Sequence, residues 1–416
     1  KRQIIDNDQS KTMEVGMRVK KWALMGILCG TMVLLAGCGK AQKAYKQAVA
    51  LAENGSYEKA AASFKEAIAE NKDKAEYYID YGMTLNHLGS YKKAIKQFEK
   101  AYQKVDNKIS RQNNKRLYYG EALAYYGIHE YDKAKKQCDK ALEISESKVL
   151  NGDIYATLAM AQWASGDSLG ALGALDQLIK ENAKDADGLV LRGQIKQSMG
   201  KYDSAAEDFL KAISVDEKCY EAYFGCYNVY NDAGRESDAK DVLEKLVSIH
   251  GADAEAKTQI GRAYICLDKL ADAEDILSDA EKEKSTDALF YQGKVLRIRG
   301  DFENAIKKYT KYLKAQNGAV CALPEVYSEL AGCYIELQDY GQAEDYLEQG
   351  LDLGVTMAYQ NLLRNRVILL ERMGKMRQAK ELAAEYLQTY PYDKEMAKEA
   401  KFIATRIGNH SKKKQR

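Results

Sequence analysis

The stretch Gly200-Lys201-Tyr202-Asp203-Ser204-Ala205-Ala206-Glu207-Asp208-Phe209-Leu210-Lys211-Ala212-Ile213 decides how this chain reads. It describes the end of one helix, a tight turn and the start of a second helix. Gly200 can take the left-handed conformation that closes a helix, where a Cβ is costly. Asp203 sets a carboxylate near the positive end of the next helix dipole. Ala205, Phe209, Ala212 and Ile213 then recur at helical spacing on one face.

The stretch is repeated along the chain. With Tyr202 as marker, its equivalents are Tyr57, Tyr91, Tyr131, Ser168, Glu236, Leu270, Phe302, Tyr340 and Met376, at steps of 32 to 40 residues. Three residues past each marker stands an alanine: Ala60, Ala94, Ala134, Ala171, Ala205, Ala239, Ala273, Ala305, Ala343 and Ala379. Two residues before it stands Gly55, Gly89, Gly166, Gly200, Gly234, Gly300 or Gly374, with His129, Asp268 and Gln338 in the other three copies. His and Asp enter the left-handed region more readily than most non-glycine residues. Nine residues before the marker the chain is again small, as at Ala48, Gly82, Ala122, Ala159, Gly193, Gly261, Gly293 and Ala331; Tyr227 and Val367 depart. Small residues facing each other let two antiparallel helices approach closely, and larger ones would push them apart. Bulky residues such as Tyr78, Tyr81, Leu85 and Phe98 fill the flanks. The reading is an all-α chain of about ten helix-turn-helix units, each of which buries its apolar face by stacking on the next.

This pattern resembles the tetratricopeptide repeat, with its 34-residue period, Gly-x-Tyr turn, small residue in each helix and Pro ending the second. The resemblance covers residues 41–390. It implies a right-handed superhelical solenoid in which the first helix of each pair lines a concave groove. One departure is systematic. Only Pro391 holds the terminal Pro position, where Lys72, Asp106, Glu217 and Asn317 stand in other copies. Looser junctions are therefore expected, with Asp106–Asn114, Glu146–Asn151 and Gln316–Pro324 absorbing the longer steps. Residues 391–408 read as a capping helix, started by Asp393 and carrying the apolar stripe Met396, Ala400, Ile403 and Ile407. Residues 409–416 read as a basic, disordered tail.

The N-terminus carries a different signal. Met17-Arg-Val-Lys-Lys21 is basic, Trp22–Ala36 is an uncharged apolar run, and Leu35-Ala-Gly-Cys38 follows. A basic start, a short apolar core and small residues at the cut describe a secretory signal over residues 17–37. The run falls short of the roughly 20 residues of a spanning helix. Its ending resembles the lipobox of bacterial lipoproteins. That resemblance implies that Cys38 becomes the lipidated first residue and anchors the protein to the outer side of a bacterial membrane, since two acyl chains hold durably. Residues 38–40 are then a short tether. Residues 1–16 read as an upstream extension outside the mature protein.

Composition narrows the chemistry. The chain has 416 residues, two of them Pro, and a net charge of +2 from 63 basic and 61 acidic residues. Mixed charges of this kind give no field for nucleic acid. Gly166-Asp167-Ser168-Leu169-Gly170 fits the nucleophile elbow of serine esterases, which needs a strand before the Ser and an activating His. Ala156–Ala164 reads as helix instead, and Ser168 falls on the marker position of the repeat. Four scattered histidines make a zinc site improbable on spacing, and no cofactor motif is present. Cys138 and Cys226 take core positions of the repeat, as small buried hydrophobes. The reading is non-catalytic, with no metal and no cofactor.

Function is then expected on a second stripe of the first helices. Positions 12, 8 and 5 residues before the marker supply Ile79, Met83, Tyr119, Leu123, Tyr126, Met160, Trp163, Phe224, Asn228 and Asn231. Farther along they supply Arg262, Phe290, Lys294, Arg297 and Arg364. Such a groove is apolar and aromatic toward the lipid end and basic toward the far end. It suits a protein or peptide partner, with Arg and Lys taking its carboxylates. The alternative ligand is a cell-wall glycan, stacked on Trp163 and Tyr126.

Overall fold

The computed structural model describes residues 39–102, 110–249, 253–315, 325–353, 358–391 and 393–413. The signal segment, Cys38, residues 106–109 of the insertion at 106–114 and the insertion at 316–324 lie outside the described residues. Within them the chain is all-helical, with 21 α-helices and no strand.

Every marker residue is the first residue of a helix. The ten helices so begun are α2 (Tyr57–Glu70), α4 (Tyr91–Tyr102), α6 (Tyr131–Leu142), α8 (Ser168–Glu181), α10 (Tyr202–Val215), α12 (Glu236–Val247), α14 (Leu270–Lys282), α16 (Phe302–Ala315), α18 (Tyr340–Asp352) and α20 (Met376–Thr389). Each follows the first helix of its copy: α1 (Lys40–Glu53), α3 (Ala75–His87), α5 (Ser110–Gly127), α7 (Asn151–Ala164), α9 (Ala186–Ser198), α11 (Tyr220–Asp232), α13 (Ala254–Cys266), α15 (Asp287–Ile298), α17 (Glu325–Glu336) and α19 (Tyr359–Arg372). The last helix is α21 (Lys394–Lys413), which runs on into the stretch read as a tail.

The turn explains the marker. All ten residues two before a marker have positive φ: the seven glycines, His129 at 61°, Asp268 at 58° and Gln338 at 62°. In the opening stretch, Gly200 donates its N–H to the Gln197 carbonyl at 2.9 Å and Lys201 donates to the Lys196 carbonyl at 2.9 Å. These bonds satisfy carbonyls that a helix end otherwise leaves open.

The chain divides into two compact units at Arg235 and Glu236. The first stacks the hairpins α1–α2, α3–α4, α5–α6, α7–α8 and α9–α10, then α11. The second holds α12, the hairpins α13–α14, α15–α16, α17–α18 and α19–α20, and α21 against α20. All ten alanines past the markers are fully buried. So are the side chains seven past the marker in several copies, including Phe64, Phe98, Cys138, Leu175, Phe209, Leu277 and Tyr309. Their sizes are matched to what they face. Aromatic Phe98, Phe209 and Tyr309 lie against Gly82, Gly193 and Gly293, where a Cβ would meet the ring at 2.6, 2.9 and 2.5 Å. The small Cys138 stands in the copy whose facing residue is Ala122. In these copies a ring faces a glycine and the smaller thiol faces an alanine, although in the first copy Phe64 faces Ala48.

The missing prolines are replaced. Asn71, Asn182 and Asp216 follow α2, α8 and α10 one residue before the Pro position. Each side chain accepts from the amide two residues on: Asp73 at 3.0 Å, Lys184 at 3.2 Å and Lys218 at 2.9 Å. These Asx turns hold φ between −137° and −147°. That is the extended backbone a following Pro would impose. The junctions of these three copies are therefore pinned rather than loose. In the long step before Asn151, Ser147 at φ 53° starts a 3-10 turn over Lys148–Leu150.

At the end of the second unit, Asp393 caps α21 by accepting from the amides of Glu395 at 3.1 Å and Met396 at 2.9 Å. Met396 and Ile403 are buried against Val367, Ala379, Ala383 and Tyr386, with Ala400 and Ile407 alongside.

Candidate functional site

In the first unit the predicted stripe splits in two. Ile79, Met83, Tyr119, Met160, Trp163 and Phe224 are buried, while Leu123, Tyr126, Asn228 and Asn231 are half-exposed. The buried members do not present a surface to a partner. For Ile79, Tyr119 and Phe224, the residues 12 before the marker, the reason is the neighbouring first helix: α3 packs on α5 and α9 on α11. Burial of Trp163 at 8% exposure also removes the open ring face that stacking on a sugar needs.

The half-exposed stripe residues that remain, Leu123, Tyr126, Asn228 and Asn231, are uncharged, and amides stand beside them in the repeat. Asn86 donates through Nδ2 to the Gly120 carbonyl at 2.8 Å, and Gln197 donates through Nε2 to Asp232 at 3.0 Å. These amides tie first helices of adjacent copies together. Asn228 and Asn231 make no side-chain hydrogen bond among the described residues. Trp163 Nε1 and Gln194 Oε1 are buried with no partner there. A buried donor without an acceptor costs about 1–3 kcal/mol, so an acceptor arriving from outside would recover it. Gln194 and Gln197 escaped the sequence reading because amides carry no periodic apolar signal, although their spacing from Tyr202 repeats that of Leu123 and Tyr126 from Tyr131.

In the second unit the expected basic surface is largely neutralised. Phe290 is buried. Arg297 Nε lies 2.5 Å from Glu329 Oε2 and Lys294 Nζ lies 3.7 Å from Oε1. Tyr309 donates to the same carboxylate at 3.3 Å. The charge of Glu329 holds the Arg297 guanidinium even further above its ordinary value, against the opposing effect of burial. Arg364 Nη2 lies 2.8 Å from Asp393 Oδ1, and Tyr386 donates to the other oxygen at 2.5 Å. Burial alone would raise the Asp393 carboxyl. The Met396 amide, the Tyr386 hydroxyl and Arg364 outweigh it and hold it below the ordinary value. Arg262 is half-exposed. The groove charges Arg297 and Arg364 are thus structural partners of the chain's own carboxylates.

Buried ion pairs also stitch the first unit. Asp80 on α3 accepts from Tyr45 on α1 at 2.5 Å and from Arg116 on α5, linking three copies. Asp208 on α10 accepts from Arg192 Nη2 at 2.5 Å and from Lys196 at 2.7 Å, both on α9. Ser168 opens α8 after a helix rather than a strand, and Asp167 caps that helix by accepting from Gly170 at 2.8 Å. The serine string is accounted for by the turn. Among the described residues Cys138, Cys219, Cys226, Cys266 and Cys333 form no disulfide. Burial pushes Cys219 and Cys333 each up to about 12, away from reactive thiolate. No group of three or more His, Cys, Asp or Glu there could hold a metal, and no described helix is long and apolar enough to cross a membrane.

Helix pairs closed by a left-handed turn, joined through small residues and stacked copy on copy, define a helical-repeat protein. Models of the tetratricopeptide repeat match residues 45–109, 258–320, 186–219 and 324–353, and the chain carries tetratricopeptide repeats. Repeats of this family are generally a non-catalytic protein-interaction fold. A DnaJ homolog subfamily C member 7 homolog of Schizosaccharomyces pombe is 22% identical over 74% of this chain and 70% of its own length. A TPR repeat-containing protein of Methanocaldococcus jannaschii is 24% identical over 61% of this chain, which spans 45% of that relative. The solved APC/C hetero-tetramer Cut9-Hcn1 aligns with a TM-score of 0.42 at 12% identity, over 88% of this chain and 96% of that one.

Proposed function

We propose that the chain is a non-catalytic scaffold that captures an extended, largely uncharged segment of a partner protein and holds it at a bacterial membrane. The carrying observation is that Leu123 and Tyr126 on α5 and Asn228 and Asn231 on α11 stay half-exposed on first helices of the first unit. Leucine and tyrosine give apolar contact, and carboxamides match the donor and acceptor of a peptide group. The anchor rests on the basic start, apolar run and Leu-Ala-Gly-Cys38 ending of the sequence. It places the protein on the outer side of the membrane with Cys38 as the lipidated residue.

Two measurements test this. A photo-crosslinking residue at Leu123 should trap a defined partner in the cell, while one at the exposed Leu169 should not. Cys38→Ala should leave the signal uncut and prevent acyl labelling. Equal trapping at both positions defeats the capture surface; unchanged acyl labelling defeats the anchor.

A further inference from the structure

Neighbouring copies also form clefts between their second helices, floored by the first helix between them. Two such clefts in the second unit are built from equivalent positions. One lies between α14 and α16 over α15, with a cavity of about 380 Å³; the other lies between α18 and α20 over α19, with about 530 Å³. A third, between α8 and α10 over α9 in the first unit, is bridged by Arg192.

The clefts differ in how charge is balanced. Between α8 and α10, Arg192 bridges Asp176 at 2.7 Å and Asp208 at 2.5 Å, with Lys196 on Asp208 at 2.7 Å. Between α14 and α16, Glu281 on one wall pairs with Lys308 at 2.9 Å and Lys311 at 2.6 Å on the other. Those two lysines hold the Glu281 carboxyl down at about 2, Lys311 first, although burial opposes it. Between α18 and α20 the walls carry the same sign: Glu344 and Glu348 on α18, Glu381 and Glu385 on α20. None of the four is ion-paired among the described residues. Arg366 takes the place of Arg192, but Leu370 stands where Lys196 does, and Lys375 is at one end. Leu347, Leu369, Leu370 and Leu382 make the rest of the lining apolar.

We infer that the α18–α20 cleft is a docking site for a basic amphipathic helix of a partner protein. Its Lys or Arg side chains would pair with the two rows of glutamates, spaced four residues apart on each wall, and its leucine-like face would cover the apolar floor. The argument is charge complementarity measured against the sister clefts: in those, cations of the chain pair with the wall carboxylates, whereas here four glutamates outnumber Arg366 and Lys375 and none is ion-paired among the described residues. The site is separate from the Leu123 surface and does not depend on it.

Fluorescence anisotropy on the full chain tests the proposal, with a synthetic Leu-Lys amphipathic helix and its Leu-Glu counterpart as probes. The Leu-Lys helix should bind and the Leu-Glu helix should not. Replacing the four glutamates (Glu344→Gln, Glu348→Gln, Glu381→Gln, Glu385→Gln) should weaken binding about tenfold or more. The same charge loss at exposed Glu53, Glu58, Glu66 and Glu70 should change it less than about twofold. Leu370→Lys, which restores the cation of the α8–α10 cleft, should also weaken it, while Leu123→Asp should not. Equal weakening by the two quadruple variants, or no effect of Leu370→Lys, overturns the proposal. So does sedimentation showing that wild-type self-association disappears in the cleft variant, because the occupant would then be a second copy.

Discussion

The Phe98 ring occupies the space that a side chain at Gly82 would need: a Cβ there would lie 2.6 Å from Phe98 Cε1. Gly120, on the first helix of the next copy, is equally close, at 2.4 Å from Phe98 Cζ. One ring on α4 thus fits between two glycines on α3 and α5. Gly82→Ala should destabilise the first unit by about 1–3 kcal/mol through overpacking, and Phe98→Ala by about 3–5 kcal/mol through cavity formation. The combination should lose less than the sum, because the added methyl enters the vacated space. Urea denaturation of the three variants checks this; strict additivity would show that the ring and the glycine are not coupled.

The turn positions predict gains as well as losses. Gln338 holds φ 62° with no special aptitude for the left-handed region, which costs a residue with a Cβ roughly 1–2 kcal/mol. Gln338→Gly should therefore raise stability by about 1 kcal/mol. Asp268→Gly at φ 58° should give less, because Asp tolerates that region better. Gly200→Ala should lower stability by a similar amount. Thermal melting of the three proteins ranks them, and a stabilising Gly200→Ala would contradict the turn argument.

Glu121 gives the first unit a pH signature. It is 3% exposed and Oε2 has no hydrogen-bond partner among the described residues. Burial first, and then Glu99, push its carboxyl up to about 7, with Lys140 opposing. The folded form therefore keeps its proton over a range where the unfolded chain, near the ordinary value of about 4.3, has lost it. Stability is fully present below that value and declines as pH rises through about 7. Glu121→Gln should thus match the wild type near pH 4 and exceed it at pH 8 by about 3–4 kcal/mol. The difference in unfolding free energy across pH is the readout; a constant offset would refute the assignment to Glu121.

The Asp80 cluster makes a prediction about non-additivity. Removing Arg116 leaves the nearly fully buried Asp80 carboxylate with the Tyr45 hydroxyl as its remaining side-chain partner among the described residues. Arg116→Leu should cost about 3 kcal/mol, and adding Asp80→Leu should recover part of the loss, because a buried charge is no longer stranded. A double variant no more stable than Arg116→Leu alone would mean that the pair is not electrostatically coupled.

The repeat was legible because it is local. Marker, left-handed turn and small residues lie within 13 residues of one another, and each constrains its neighbours sterically, so that all ten turns take the backbone read from Gly200 and its equivalents. The Asx turns were legible in principle too, since Asn71, Asn182 and Asp216 stand one residue before the absent Pro. The groove was not. Periodicity says that Ile79, Phe224 and Phe290 share a face with their neighbours, but not how near the next helix comes. Ion pairs such as Arg297 with Glu329 join residues a full copy apart, and no spacing rule selects that carboxylate among the many in the chain.

That last point separates stability from binding at Arg364. Sequence placed it in the groove as a taker of partner carboxylates; in the fold it shares Asp393 with Tyr386 and with the first amides of α21. Arg364→Met should therefore loosen α21, lowering hydrogen-exchange protection of its amides and costing about 2–3 kcal/mol. Asp393→Ala should do so more strongly, because the cap is lost as well. The Asp393 carboxyl is held below its ordinary value, so its contribution is present above about 3.9 and is lost as pH falls beneath that. Partner trapping through Leu123 should survive both substitutions at neutral pH. If Arg364→Met instead abolished trapping while α21 kept its protection, Arg364 would be a binding residue after all, and the neutralised second unit would have to be reread as part of the capture surface.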